Sequence, residues 1–183
     1  MNARTRSHFV SIRSTDRAEQ GAAYSYLLEA TGKPVDWAYE VWDELLEGLR
    51  HKDNRLRSIS VQLLCNLAQS DPRARILKDF GKVLAVTKDP QFVTARHALQ
   101  AFWRIGVAGK KQQAKVVTGL TGRFRESAAE KNGTLIRYDI LEGLRRLYDT
   151  VRDEGIRKQA QALIATEEDP KYRRKYATLW RKP

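Results

Sequence analysis

The feature that most constrains the fold is an amphipathic segment that occurs four times along the chain. Its first copy, residues 53–67, opens with an aspartate, carries an arginine in its first turn and places apolar residues at helical spacing along one side. The other copies begin in register at Asp89, Gly133 and Asp169, so the spacings are 36, 44 and 36 residues. Such periods are typical of helix-pair repeats. Each copy follows a second amphipathic segment, and because a lone helix of this length is marginal in water, each pair must pack against its neighbours.

The copies resemble the second helix of HEAT/armadillo-type repeats, which tends to open with Asp, an aliphatic residue and Arg. The matching dipeptides are Leu56-Arg57, Ile136-Arg137 and Tyr172-Arg173. The second copy departs from this pattern, since Val93 stands at the arginine position and Arg96 follows three residues later. The fixed 34-residue period of tetratricopeptide repeats is absent. The resemblance covers about residues 35–180, and it implies an all-α fold wound as a right-handed α-α superhelix.

We therefore predict one continuous all-α domain, a short solenoid of about four helix pairs with an N-terminal capping helix. Residues 1–34 are expected to form a tail and the capping helix, with the polar residues 1–14 frayed and Ala18, Ala22 and Leu27 along one apolar side of the helix. The repeats are expected at residues 35–71, 72–109, 110–152 and 153–183. Asp-Pro pairs at Asp71, Asp89 and Asp169 predict helix starts, because aspartate accepts free N–H groups and proline has no N–H to lose.

Charge is spread unevenly over these repeats. The chain has 34 basic and 22 acidic residues and a net charge of +12. Residues 36–71 carry a net −3, whereas residues 72–109 and 110–152 each carry +5. A basic field of this size favours polyanions, although a generally solvated basic surface explains it equally well. The acidic first repeat and the basic later ones also favour head-to-tail self-association.

The sequence offers little for catalysis, metal binding or cofactor binding. The three histidines, His8, His51 and His97, are scattered, and the chain contains neither a phosphate-binding glycine loop nor a serine nucleophile motif. The single cysteine, Cys65, lies in an apolar stripe and is expected to be a small buried residue. We predict no catalytic residue, no metal and no cofactor. No apolar run is long enough to span a membrane and no secretory signal is evident, so a cytoplasmic location is expected.

Arginines of the predicted second helices are the main binding candidates, because the resemblance places these helices on the inner, concave face. In HEAT repeats an arginine often pairs with a capping aspartate of the neighbouring repeat. The resemblance therefore implies a structural Asp–Arg ladder formed by Asp53, Arg57, Asp89, Arg137, Asp169 and Arg173. Arg96, Arg104 and Arg145 fall outside this pattern and are predicted to face a ligand. The full set of candidates for an anionic partner is Arg96, Arg104, Arg145, Arg55, Lys110 and Lys111.

Two functions of different classes follow. The first is a non-catalytic scaffold whose basic face binds an acidic protein or a nucleic acid. The second is an enzyme resembling the HEAT-like DNA alkylation-repair glycosylases, which need an acid beside an aromatic cleft. Asp139 next to Tyr138 is the candidate acid for that reaction. Tyr138 and Trp103 either stack bases or pack in the core.

Overall fold

The computed structural model describes residues 1–181, and these residues confirm the all-α prediction. They form ten α-helices, joined by turns and single 3-10 turns, with no strand among them. The helices are α1 (Ala3–Ser11), α2 (Arg17–Ala30), α3 (Ala38–Gly48), α4 (Asn54–Leu67), α5 (Arg75–Ala85), α6 (Phe92–Val107), α7 (Lys110–Glu126), α8 (Gly133–Val151), α9 (Glu154–Ala165) and α10 (Pro170–Thr178).

The helices pack as successive pairs in two layers. The second helices α2, α4, α6 and α8 lie side by side, and α10 packs on α8 and α9. Among the first helices, α5 contacts α7 and α7 contacts α9. Helix α6 is central, because it packs closely against both α4 and α8. A single apolar core runs through the array, and it includes the fully buried Trp42, Phe102 and Leu144.

The N-terminal segment is a helix pair rather than a tail and one helix, so the prediction of a frayed tail at residues 1–14 is wrong. The Asn2 side chain caps α1 by accepting the N–H of Thr5 at 2.8 Å. Phe9 and Ile12 are buried, and Phe9 packs edge-on against Trp37. Two apolar residues on one side thus anchor a segment whose average composition is polar.

Helix α2 also turns a different side to the core than predicted. Its buried residues are Gln20, Ala23 and Leu27, whereas Ala18 and Ala22 are exposed. The buried Gln20 amide donates to the carbonyl oxygen of Ile12 at 2.9 Å. This bond lets a polar residue occupy the buried side of α2 and joins α1 to α2.

Only one of the three Asp-Pro pairs starts a helix where predicted. Asp169 caps α10, with Pro170 in its first turn. After Asp71 the helix begins at Arg75, because Ala74 has a left-handed φ of 51° and Asp71 instead accepts the Ile76 N–H and the Tyr39 hydroxyl.

The Asp89 carboxylate accepts a third set of partners. Helix α6 begins at Phe92, and the Asp89 carboxylate accepts the Gln91 N–H while binding Arg57. The same dipeptide therefore serves as a cap in one repeat and as an inter-repeat acceptor in another.

Arginine–carboxylate pairs connect every consecutive pair of second helices from α2 to α10. We call them the ladder pairs. They are Arg17–Asp53 (2.7 Å), Arg57–Asp89 (2.5 Å), Arg96–Asp139 (2.6 Å) and Arg137–Glu167 (2.7 Å). In three of the four, the carboxylate is nearly buried, so the pairing arginine is needed to offset the cost of removing that charge from water.

The ladder pairs follow the expected Asp–Arg pattern in part. Arg57 binds Asp89 through two N–H groups, as in the pairing that the resemblance implies. Arg137 binds Glu167 instead of Asp169, and Asp169 accepts the Lys171 N–H as a helix cap. The structure records no ion pair for Arg173 within residues 1–181.

Replacing Asp89 by Asn tests one of the two bidentate ladder pairs. We expect a loss of about 3 kcal/mol in the free energy of unfolding at pH 7, because Arg57 is left mostly buried without its carboxylate. Burial alone would raise the pKa of Asp89, but hydrogen bonds from Arg57 and from the Gln91 N–H, with the Arg57 charge, outweigh it and hold that pKa below its usual value.

The pH dependence of this effect has a definite sign. The lowered pKa of Asp89 means that its contribution is complete above the unfolded-state value of about 3.9 and is lost as the pH falls through the lower, folded-state pKa. Urea unfolding should therefore show the wild-type and Asp89→Asn curves converging in acid. The exposed Asp36, whose side chain has no bond within residues 1–181, gives the control Asp36→Asn. A constant difference across this pH range would contradict the assignment.

Two glycines inside α7 give a matched pair of stability predictions. A Cβ atom at Gly122 would meet nothing within 4 Å, so Gly122→Ala should raise the free energy of unfolding by up to about 1 kcal/mol. A Cβ atom at Gly119 would lie 3.0 Å from the Phe80 ring, so Gly119→Ala should gain less or destabilise. Urea unfolding followed by circular dichroism measures both. Equal gains would show that α7 is not closely packed on α5.

Candidate functional site

The candidate site lies on the solvent side of α2, α4, α6 and α8, which we call the second-helix face. Helix α6 turns one row of side chains toward this face, spaced by alternating intervals of four and three residues as one side of a helix requires. The α6 row consists of Val93, His97, Gln100, Arg104 and Val107. Val93 and Val107 are 61% and 39% exposed, and they are two of the three exposed large apolar residues in residues 1–181. An apolar contact is thus available at each end of the row.

A cavity opens at either end of the α6 row. The first, which we call the N-terminal cavity, has a volume of about 330 Å³ and is lined by Arg17, Asn54, Arg55, Ser58, Val93, Thr94 and His97. The second, which we call the Arg104 cavity, has about 190 Å³ and is lined by Gly32, Asn66, Gln69, Trp103, Arg104, Val107 and Thr150. Each contains an exposed valine of α6 and an arginine. The two valines are fourteen residues apart, which is roughly 20 Å along a helix.

Arg104 is a half-buried cation with no carboxylate partner in residues 1–181. Its guanidinium lies over the Trp103 ring, 4.9 Å from the ring centroid. Burial, and after it the charge of the nearby Arg146, lowers the pKa of Arg104 below the ordinary arginine value. Because an arginine stays protonated near neutral pH, the cavity holds a positive charge that is poorly solvated and open to an anion.

Two other polar atoms of the Arg104 cavity residues are buried and unpaired within residues 1–181. They are the Oδ1 atom of Asn66, a residue only 4% exposed, and the Nε1 atom of Trp103. The Asn66 amide is oriented by its surroundings, because its Nδ2 donates to the Thr31 hydroxyl at 3.0 Å and to the Leu28 carbonyl at 3.4 Å. A carbonyl cannot donate, so the oxygen of Asn66 must be the atom left without a partner.

Two predicted ligand-facing arginines are engaged in the structure, which corrects the expectation that they escape pairing. Arg96 donates two hydrogen bonds to Asp139, at 2.6 and 2.9 Å, and Asp139 is 1% exposed. The physical reason is a matched shift in register. The arginine expected at position 93 lies one turn later at Arg96, and its acid lies on α8 at Asp139 instead of at Gly133.

Arg145 is the second correction. It binds both carboxylate oxygens of Asp149, at 3.0 and 2.9 Å, and it lies over the ring of Trp180 at 5.7 Å. Its side chain is therefore part of the packing between α8 and the C-terminal residues.

The remaining candidates are divided between the two layers. Arg55 lines the N-terminal cavity and has no ion pair within residues 1–181, so it joins Arg104 on the second-helix face. Lys110 and Lys111 begin α7 in the first-helix layer, and Lys110 pairs with Asp153 at 3.2 Å. Of the six predicted anion-binding residues, the structure thus places Arg55 and Arg104 beside cavities of the second-helix face.

The side chains that could take part in catalysis are buried or already hydrogen-bonded to other residues. Cys65 is fully buried, and burial raises the pKa of its thiol to about 12. His97 bonds to the Ser58 hydroxyl at 2.7 Å, and burial lowers its pKa. Asp139 gives both oxygens to Arg96, and the neighbouring Tyr138 ring is covered by Lys175, whose Nζ lies 5.0 Å from its centroid. In residues 1–181 no group of three His, Cys, Asp or Glu side chains is arranged to hold a metal, and no helix is both long and apolar enough to cross a membrane.

Several cavity residues were not singled out from the sequence. Asn66, Gln69, Gly32 and Thr150 come from three different helix ends, and no local motif connects them. Asn66 gives the one usable signal, because a polar amide between Cys65 and Leu67 interrupts an otherwise apolar segment. Its role becomes visible only when the ends of α2, α4, α6 and α8 are brought together.

Comparison with known proteins bears on the fold alone. No family model matches the sequence, and no curated protein matches it. Among solved structures, the crystal structure of an engineered protein is similar, with a TM-score of 0.55 and 17% sequence identity. The alignment covers 98% of this chain and 79% of that one. This likeness supports an all-helical, repeat-like architecture.

Proposed function

We propose that the chain is a non-catalytic interaction module, built of HEAT/armadillo-type helical repeats, that binds an acidic segment of a partner protein along the second-helix face. The observation that carries the proposal is Arg104, a half-buried arginine with no carboxylate partner in residues 1–181. An anionic side chain from another molecule would satisfy it. The Arg–acid ladder pairs support the family assignment.

The composition of the second-helix face favours a peptide over a nucleic acid. A run of phosphates calls for several free cations, but ladder pairing and Asp149 occupy Arg96 and Arg145. Arg55 and Arg104 instead stand beside Val93 and Val107, one pair at each end of α6. Alternating apolar and cationic contacts suit an extended segment with acidic and aliphatic side chains.

The glycosylase alternative has less support. The acid proposed for it, Asp139, is buried and bonded through both oxygens to Arg96, so it lacks a free oxygen facing a cleft. Its position favours a structural role between α6 and α8. Self-association and a cytoplasmic location stay predictions from the sequence.

Binding to arrays of random acidic peptides tests the proposal. Arg104→Gln should weaken binding by about 10-fold or more, because a hydrogen bond to a charged group is worth roughly 1.5–3 kcal/mol. Lys111→Gln is the matched control, since it removes one charge from an exposed residue of the first-helix layer. Equal losses in the two variants would point to a general charge effect. Tighter binding to short DNA or RNA, with a steep salt dependence that Arg104→Gln leaves unchanged, would replace the proposal with nucleic-acid binding.

A further inference from the structure

We infer that His97 is a second anion-binding residue of the second-helix face and that, together with Arg55, it holds an acidic side chain of the partner in the N-terminal cavity. Protonation of the His97 ring tightens the complex, so binding strengthens as the pH falls from about 8 to about 5. This inference rests on the proposed function, and it adds a residue and a pH dependence to the same face. It is carried by the hydrogen bonds that orient the His97 ring, by its open Nε2 atom and by the charges around it.

Hydrogen bonds across α2, α4 and α6 orient the His97 ring. The Tyr24 hydroxyl donates to the Gln62 Oε1 atom at 2.8 Å, and the Gln62 Nε2 atom donates to the Ser58 carbonyl and hydroxyl at 3.0 and 3.2 Å. The Ser58 hydroxyl thus accepts from Gln62, and its own hydrogen is directed to His97 Nδ1, 2.7 Å away. Because Nδ1 is the acceptor, the neutral ring carries its hydrogen on Nε2.

The Nε2–H group of His97 is available to a ligand. Within residues 1–181 the Nε2 atom has no hydrogen-bond partner, and it is not one of the buried polar atoms that lack a partner, so solvent reaches it. His97 and Arg55 both line the N-terminal cavity, whose volume of about 330 Å³ accommodates an acidic side chain. Arg55 extends across α2, where its Nη2 atom lies 3.1 Å from the position that a Cβ atom would take on Gly21. The cavity therefore combines one donor from α6 with one from α4.

The charges around His97 leave one cation without a compensating acid. The titratable and charged groups of the elements packed around it are Arg17 and Tyr24 of α2, Asp53 and Arg55 at the start of α4, Arg96 of α6, and Asp139 and Glu142 of α8. Two ladder pairs, Arg17–Asp53 and Arg96–Asp139, offset their own charges, and Glu142 binds Arg146 at 2.8 Å. Arg55 has no ion pair within residues 1–181, so an incoming carboxylate meets a positive charge beside the ring.

A bound carboxylate reverses the preference of the His97 ring for its neutral form. Burial, and after it the charge of Arg96, lowers the pKa of His97 below its ordinary value of 6.5, and Asp139 opposes them only in part. A carboxylate against Nε2 favours the imidazolium and raises this pKa in the complex. Affinity is therefore highest below the pKa of the free ring and falls as the pH rises through the pKa of the complex. The Ser58 hydroxyl adapts by rotating, since its oxygen can accept from Gln62 and from a protonated Nδ1 together.

Peptide binding to the full chain between about pH 8 and about pH 5 tests the inference, because partner carboxylates stay ionised there and His97 does not. The probe is the acetylated and amidated hexapeptide Glu-Val-Glu-Val-Glu-Val, whose extended length of roughly 20 Å matches the α6 row. Its affinity should rise about 5- to 10-fold over this range, as a charge-assisted hydrogen bond replaces a neutral one. His97→Gln keeps an N–H donor but does not titrate, so it should bind like the wild type at about pH 8 and lose the rise.

Two control variants isolate the role of His97. His8→Gln removes a titrating ring from α1, outside the cavity, and should keep the rise in affinity. Arg55→Gln should weaken binding about equally at every pH, because an arginine stays protonated over this range. Unchanged backbone nuclear magnetic resonance spectra establish that the variants fold.

Nuclear magnetic resonance of the three histidine rings measures the same effect on the wild-type chain, and His97→Gln identifies the signal of His97. Saturating peptide should raise the pKa of His97 by the amount that the change in affinity requires, and it should leave the pKa values of His8 and His51 unchanged. A rise in affinity that His97→Gln retains would overturn the inference. So would a His97 pKa that the peptide does not move.

Failure of this inference and failure of the proposed function are separable. Peptide binding that depends on Arg104 but is equally tight at both ends of the pH range would remove the role of His97 and leave the proposed function in place. Absence of Arg104-dependent binding, for the hexapeptide and for random acidic peptides alike, would remove the proposed function and the inference with it.

Discussion

The ion pair between Arg96 and Asp139 is the interaction on which the middle of the array depends. It joins α6 to α8 at a buried carboxylate, and equivalent ladder pairs join the other second helices. Apolar packing between helices is tolerant of sliding, because one aliphatic contact replaces another at little cost. A bidentate arginine–carboxylate pair does not tolerate such sliding, because its two hydrogen bonds form only when the two side chains have one relative orientation. The ladder pairs thus set the register at which successive helix pairs stack, and with it the position of every side chain on the second-helix face.

The fold class followed from the sequence because it depends on periodicity. Apolar residues recurring at helical spacing, repeated after about 36 to 44 residues, leave few alternatives to stacked helix pairs. Helix starts were less predictable, since an aspartate has several uses. Asp169 caps a helix, Asp71 accepts bonds from Ile76 and Tyr39, and Asp89 receives Arg57. These uses differ by long-range contacts that local sequence does not contain. The same limitation explains α1, whose stability comes from Phe9 meeting Trp37 in another helix pair.

The candidate site, too, was predictable from the sequence only in part. Arginines on the second helices could be identified from their spacing, but whether each is paired depends on what the next helix offers. Arg96 binds Asp139, whereas Arg104, two turns farther along the same helix, lines a cavity with Asn66 and Gln69 and has no carboxylate partner in residues 1–181. A shift of three residues in the second repeat was visible in the sequence, yet its compensating acid on α8 could be recognised only from the packing. The amide of Asn66 gave a local signal, while Gly32 and Thr150 gave none.

The basic charge that lies outside the second-helix face has a kinetic consequence. Much of the net positive charge belongs to exposed residues outside the second-helix face, among them Lys78, Lys111, Lys115 and Lys158. These residues touch no ligand on that face, but their summed field would draw an acidic partner from a distance, and salt screens that field. Arg104 acts only at contact, within a poorly solvated cavity. Association would therefore be governed by the long-range field and slow down as ionic strength rises, whereas the lifetime of the complex would be governed by the cavity and respond far less to salt.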